Sequence, residues 1–264
     1  MISSSSPRLL VATPVGGGVV AHDFVHGLNA LRSHLEHLGW AMEFVSQPDG
    51  LVTRSRNAFA SYVVRTERFT HLLMLDADVV VPPEAVERLV LSGHDVAGCV
   101  VALRNVNWQR VREFLNECPD ATEAELQAIS AEYAINFNRG EKSIDGFIPV
   151  HAIGSAVMMM SRSALVKMSE SSTVHYAKRG FHAPDLQSDG WTFFDPLVDE
   201  QGIYLSEDYA FCDRWRSLGG TIWADLRSTT RHIGPVSVSG DIATSISAST
   251  RAIRQSRARE KPPA

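Results

Sequence analysis

Apolar residues follow two rhythms along this chain. Short unbroken runs, RLLVATPV over 8–15 and HLLML over 71–75, predict buried strands of the kind that are covered on both faces. Between them the spacing is helical. Phe24, Leu28, Leu31, Leu35 and Leu38 form one stripe that Gly39 stops. A second strand follows at 41–45, then the turn cluster Gln47-Pro48-Asp49-Gly50. Residues 51–65 predict a helix whose inward stripe is Val52, Arg56, Phe59 or Ala60, and Val63. Pro82-Pro83-Glu84 opens another helix, with proline where a missing N–H costs nothing, and 95–101 is a further strand.

The middle of the chain breaks this alternation. Residues 105–149 are expected to be an insertion or mobile segment, with a helix over 121–137 and a loop over 138–142. Strand-like character returns over 149–160 around Gly154, followed by a short helix at 163–168 and a loop-rich stretch at 172–199. Ser206 starts a helix carrying Phe211, Trp215 and Leu218, which Gly219-Gly220 ends; 221–224 is a strand, and Arg231-His232-Ile233-Gly234 closes the ordered part. Strands alternating with helices predict an open, mostly parallel α/β sheet with helices on both faces. The expected organisation is a disordered start (1–7), one domain (8–235) and a Ser/Ala-rich, then basic, tail (236–264).

Composition narrows the function classes. At 264 residues and 44% hydrophobic, the chain can bury a sizeable core. A net charge of -5 argues against nucleic-acid binding through global positive charge. Three widely spaced cysteines form neither a CxxC pair nor a disulfide framework, which points to a reducing compartment. The first residues lack a basic start leading into an apolar run, and no stretch approaches the roughly 20 apolar residues of a membrane span. A cytoplasmic location is expected, with at most peripheral contact with the inner face of a membrane through the basic residues of 251–261.

Two acidic clusters and one arginine carry the candidate chemistry. Asp76 and Asp78 flank a small residue at the carboxyl end of the apolar strand, where ligands sit in open α/β sheets. If the strand stays extended, both carboxylates lie on one face, and paired hard oxygens suit Mg²⁺ or Mn²⁺ completed by substrate phosphates. A solvated turn is the bland alternative. Glu207 and Asp208 follow Ser206 in a first helical turn, where acids favour the helix dipole. Asp208 also shares the stripe of Phe211 and Cys212 and needs a polar cleft there, so it is a candidate base, with Glu207 a candidate acceptor contact. Arg56 points inward and needs a carboxylate or phosphate; as a strut it would pair with Asp76 or Asp78, and as a ligand residue it, like Arg54, would meet a diphosphate. His232 can complete a metal shell or be merely structural. The glycines after Pro14 lack the spacing of a phosphate loop, and His22 and His26 lack a third ligand.

Taken in order, VATPV, RSRN, HLLMLDADV, HAIGSAVMMMSR and SEDYAFCDRWRSLGG ending in TRHIG resemble the GT-A glycosyltransferases, both family-2-like bacterial enzymes and fungal mannosyltransferases of the mannan-polymerase type. The resemblance covers most of 9–234. It implies a DxD motif in which Asp76 lies near the donor ribose and the metal-bound water and Asp78 on the metal, with His232 completing the metal site that Asp76 and Asp78 form. It implies base and ribose contacts at Thr13 and Pro14, a diphosphate contact at Arg56 and Asn57, and a lining for donor sugar and acceptor at Gly154 and Ser155. Glu207 and Asp208 become the acidic pair near the acceptor. The implied cofactors are Mn²⁺ or Mg²⁺ with a UDP- or GDP-linked sugar as donor; the acceptor is a glycan, a lipid-linked glycan, a protein or modified DNA. The sequence departs from the fungal enzymes in lacking their N-terminal membrane anchor, and 105–149 matches no part of the family.

Two other classes were open to the same residues. A sugar nucleotidyltransferase would carry a Gly-rich loop with Arg and Lys after the first strand, and TPVGGGVVAH has neither. A non-catalytic carbohydrate- or nucleotide-binding relative is expected to lose one acidic pair, and both are present.

Overall fold

In the computed structural model, which describes residues 6–138, 140–181, 186–234 and 241, the apolar runs become neighbouring strands. β1 (Arg8–Val15) lies between β2 (Ala41–Pro48) and β3 (His71–Leu75), parallel to both. The crossovers are α1 (His22–His37) and α2 (Val52–Arg65). α1 stops because Gly39 adopts φ 71°, from which its N–H reaches the Glu36 carbonyl. Then come β4 (Val79–Val80), α3 (Pro83–Leu91) and β5 (Val96–Cys99). α4 (Trp108–Glu117), α5 (Glu123–Ser130) and β6 (Ile135–Phe137) precede β7 (Phe147–Ile153), β8 (Val157–Ser161) and α6 (Arg162–Ser169). Two short antiparallel pairs follow, β9 (Tyr176–Ala177) with β10 (Gly190–Trp191) and β11 (Leu197–Val198) with β12 (Tyr204–Leu205). The series ends with α7 (Glu207–Ser217), β13 (Ile222–Asp225) and β14 (Arg231–His232).

Eight strands form the central sheet in the order β2-β1-β3-β8-β5-β13-β7-β6. Only β7 and β8 run against the other six. Alternation along each strand divides the core in two. Leu9, Val11, Leu73 and Leu75 pack with Phe24, Leu31 and Leu35 of α1 and Val86 and Leu89 of α3. Leu10, Ala12, Leu72 and Met74 pack on the other face with Phe59 and Val63 of α2, Leu165 of α6 and Phe211 of α7. The result is an open, mostly parallel α/β sheet with helices on both faces.

The middle segment differs from its expected form. Of the helix expected over 121–137 only 123–130 forms, where Thr122 and Glu125 make a reciprocal capping box. The chain leaves the helix at Ala131, and Ile135–Phe137 joins the sheet as its edge strand against β7, so pairing overrides local helix preference. α4 was not anticipated; Asn107 caps it by accepting from the Arg110 N–H at 3.0 Å. Neither α4 nor α5 buries a residue, which explains why no inward stripe marked them. The 149–160 run is two strands rather than one, separated by the Gly154–Ala156 turn and placed apart in the sheet.

Residues 1–233 form one unit and 234–264 another. Of the second, only Gly234 and Asp241 are described, so the expected basic tail lies outside the described residues, as do the first five residues of the expected disordered start. Among the described residues no helix is long and apolar enough to cross a membrane.

Candidate functional site

β3 ends where its apolar run ends. The Asp76 N–H donates to the Ala156 carbonyl (2.9 Å), and the Val79 N–H turns back onto the Asp76 carbonyl (3.1 Å). This turn replaces the extended backbone on which a shared carboxylate face depends, and the two aspartates acquire different partners.

Asp76 belongs to a buried ionic group. The Arg56 side chain is 4% exposed, and its Nη2 donates to Asp76 Oδ1 at 2.9 Å. Nη1 lies 3.4 Å from the Ser155 carbonyl, and Nε faces Glu207 Oε1 at 3.9 Å without a hydrogen bond. Of the two strut partners open to Arg56, the structure takes Asp76. α2 accommodates a cation on its inward stripe because two carboxylates and a carbonyl meet it; a buried charge stripped of such partners costs about 3–5 kcal/mol. Arg54 instead pairs with Asp49 at 2.5 Å.

Asp78 faces the other way. Its Oδ2 accepts from Arg104 Nη1 at 2.8 Å, and its Oδ1 lies 3.4 Å from His232 Nε2. Antiparallel pairing of β14 with β4 and an Ile233 N–H to Asp78 carbonyl bond (2.7 Å) bring the histidine there. His232 Nδ1 is 2.8 Å from the Ala102 carbonyl. A carbonyl accepts only, so Nδ1 is the donor there, and Nε2 is the ring nitrogen left facing Asp78. Among the described residues there is no group of three or more His, Cys, Asp or Glu that could hold a metal ion. The three residues expected to bind metal are thus divided: Asp78 and His232 are together, and Asp76 is held by Arg56.

Glu207 and Asp208 open α7 beside the Gly154 turn. The Ser206 hydroxyl donates to Asp208 Oδ1, which also accepts from the Tyr209 N–H at 2.8 Å. Oδ2 points toward Gly154, where a Cβ would lie 3.6 Å from it and 3.1 Å from the Ala134 Cβ. A side chain at 154 would crowd this carboxylate's approach. Ser206 caps α7 by its backbone position rather than by a side-chain bond to the helix. Burial, and then the Asp208 charge, push the Glu207 carboxyl above the ordinary range; Arg56 opposes this in part.

Thr13 and Pro14 are buried at the carboxyl end of β1. Thr13 Oγ1, Ser55 Oγ and Ser155 Oγ are buried and hydrogen-bond to nothing among the described residues. Such hydroxyls call for a partner. Asn57 is occupied elsewhere: its Nδ2 donates to Asp195 Oδ1 and its Oδ1 accepts from the Phe194 N–H, both at 2.7 Å, pinning that loop to α2. The sequence reading missed Arg104 and Asp195. Both lie in irregular segments and meet partners far along the chain, so no local pattern marked them.

No family model matches the chain, and no curated protein does. Among solved structures it is similar to A197 from STIV, with 16% identity, 86% of each chain covered and a TM-score of 0.48. It is also similar to a glycosyltransferase involved in the glycosylation of the major capsid of PBCV-1, with 10% identity, 63% of this chain and 68% of that chain covered, and a TM-score of 0.27. Neither likeness assigns this chain an activity.

Proposed function

We propose that the chain is a metal-dependent glycosyltransferase that moves a hexose from a UDP- or GDP-linked donor to an acceptor hydroxyl. The observation that carries this reading is the convergence of Arg56, Asp76 and Glu207 at the carboxyl end of β3, with Asp78 and His232 beside them. A donor diphosphate is the anion that Arg56 suits, and the unpartnered hydroxyls of Thr13, Ser55 and Ser155 suit a polyhydroxylated ligand.

Asp78 and His232 fit a divalent cation as two ligands of a shell that the donor's phosphate oxygens complete. Their fit rests on the orientation of the His232 ring, whose Nδ1 is tied to the Ala102 carbonyl and whose Nε2 faces Asp78. A cation there supplies charge neutralisation of the departing nucleoside diphosphate. Arg104 would leave Asp78 when the cation arrives. Arg56 stabilises the same leaving charge from the other side while Asp76 holds it in place. In an inverting reaction Asp208 takes the acceptor proton on Oδ2, its Oδ1 being held by Ser206 and Tyr209. In a retaining one the same carboxylate positions the acceptor. A second assignment has Glu207 as the base, favoured by its raised pKa.

A thermal-shift screen of UDP-, GDP- and CDP-sugars, with and without Mn²⁺, on wild type and Asp78→Ala tests the reading. Metal-dependent stabilisation by one nucleotide family, lost in the variant, is the expected result. If no nucleotide shifts the wild type, donor binding is refuted.

A further inference from the structure

A groove of about 810 Å³ runs beside α7, walled by the β11–β12 hairpin and by the edge strands β6 and β7. This is within the size range of small-ligand sites. One end adjoins the candidate base along the chain: the lining residue Tyr209 follows Asp208, and the lining residue Ala152 precedes Gly154 by two. Asp213 and Arg216 line it further along α7. At about 1.5 Å per residue, Tyr209 to Arg216 spans about 10 Å leading away from the base. The groove's lining on α7 therefore runs away from the end of the helix that carries Asp208.

Its lining has two chemistries side by side. The hairpin presents Tyr204, 68% exposed, flanked by the exposed Ile203 and Val198. Asn136 of β6 and Asp213 of α7 add planar polar and charged groups from outside the hairpin. Pyranose rings need both, an apolar surface for their C–H face and planar hydrogen-bonding groups for their hydroxyl rim; tyrosine combines an apolar body with a polar tip. Charge narrows the occupant. Asp199, Glu200 and Asp213 outnumber Arg216, which lies 3.8 Å from Asp213 and is hydrogen-bonded to His151 at 3.0 Å. Burial and the neighbouring guanidinium lower the His151 pKa, so this ring adds little positive charge near neutrality. Such a surface repels phosphate-bearing polymers and anionic lipid headgroups.

We propose that this groove binds the acceptor, and that the acceptor is an uncharged glycan chain. The proposal rests on the glycosyltransferase reading for the role of Asp208, but the groove's preference for glycan is measurable without it. Calorimetry with maltohexaose, cellohexaose, chitohexaose and α-1,6-mannohexaose, with hyaluronan hexasaccharide and a dodecamer of thymidylate as anionic comparators, reads that preference directly. At least one neutral hexasaccharide is expected to bind, and Tyr204→Ala to weaken it about tenfold or more. Asp213→Asn, which keeps the groove's shape, serves as the second variant and is expected to weaken the same ligand. No binding by any neutral member, a preference for an anionic one, or binding unchanged in both variants overturns the proposal. The nucleotide thermal-shift screen run on the same samples separates the two ideas. Glycan binding to a protein that no nucleotide stabilises refutes the transferase and leaves the groove. Nucleotide stabilisation without glycan binding does the reverse.

Discussion

Against α1 and α3 the sheet presents Leu9, Val11, Leu73 and Leu75, and the helices answer with Phe24, Leu31, Leu35 and Leu89. Against α2 and α7 the same strands present Leu10, Ala12, Leu72 and Met74 to Phe59, Val63 and Phe211, yet α2 also buries Ser55, Arg56 and Asn57. Both faces exclude water with similar hydrocarbon. The first buries one charge, Asp225, which Arg88 of α3 meets at 2.7 Å, whereas the second gathers several buried polar groups toward the carboxyl end of the strands and leaves the Ser55 hydroxyl without a hydrogen-bond partner among the described residues. One face thus acts as scaffold. The other trades hydrophobic packing for a preorganised ionic group, and such exchanges mark functional sites.

Substitutions on the two faces should separate stability from ligand response. The largest effect is expected from Arg56→Ala, which leaves the half-buried Asp76 and Glu207 without their cation. Urea unfolding should show a loss of about 3–5 kcal/mol, and any nucleotide-induced rise in Tm should vanish. A loss below about 1 kcal/mol would mean that the pair behaves as an exposed one. Leu35→Ala on the scaffold face should cost about 2–5 kcal/mol and leave the nucleotide-induced shift intact. If that shift disappears while the circular dichroism stays native, the faces are not separable.

Smaller effects sharpen the picture within the site. Arg104→Ala frees Asp78 from a half-exposed ion pair and should tighten Mn²⁺ binding about two- to fivefold in the presence of nucleotide, read from the manganese EPR signal. Unchanged or weaker binding would exclude competition between Arg104 and the cation. Glu207→Gln should give the smallest change. The folded protein raises this carboxyl's pKa, so its stabilising contribution is complete below the ordinary carboxylate range and is lost as pH rises through the raised value. The glutamine variant escapes that loss. It should melt about 2 °C above wild type at neutral pH, with the difference closing in acid. A difference independent of pH would rule out burial of the charge as its cause.

Much of this arrangement is legible in the residues themselves. The HLLML run marks β3 to the residue, and the helical spacing of Val52, Arg56 and Val63 places an arginine inside the protein. What that arginine meets is a matter of pairing between distant segments. Arg56 to Glu207, Asn57 to Asp195 and Asp78 to His232 each depend on how loops return over the sheet edge, and local periodicity carries no record of that. The insertion of β8 between β3 and β5 is of the same kind. Asp76 and Asp78 show the limit most sharply: their spacing is plain, but the turn between them sends one inward and the other to the rim.

The clasp of β14 on β4 gives the candidate cation site a place in time as well as in space. Asp78 is made early, and its partner His232 is 154 positions later in the chain. A ribosome working at about 5–20 residues per second delivers the histidine roughly 8–30 seconds after the aspartate. Until then Asp78 has only its earlier neighbours, Arg104 among them, to balance its charge. The site is therefore completed last, after every strand of the central sheet has been synthesised.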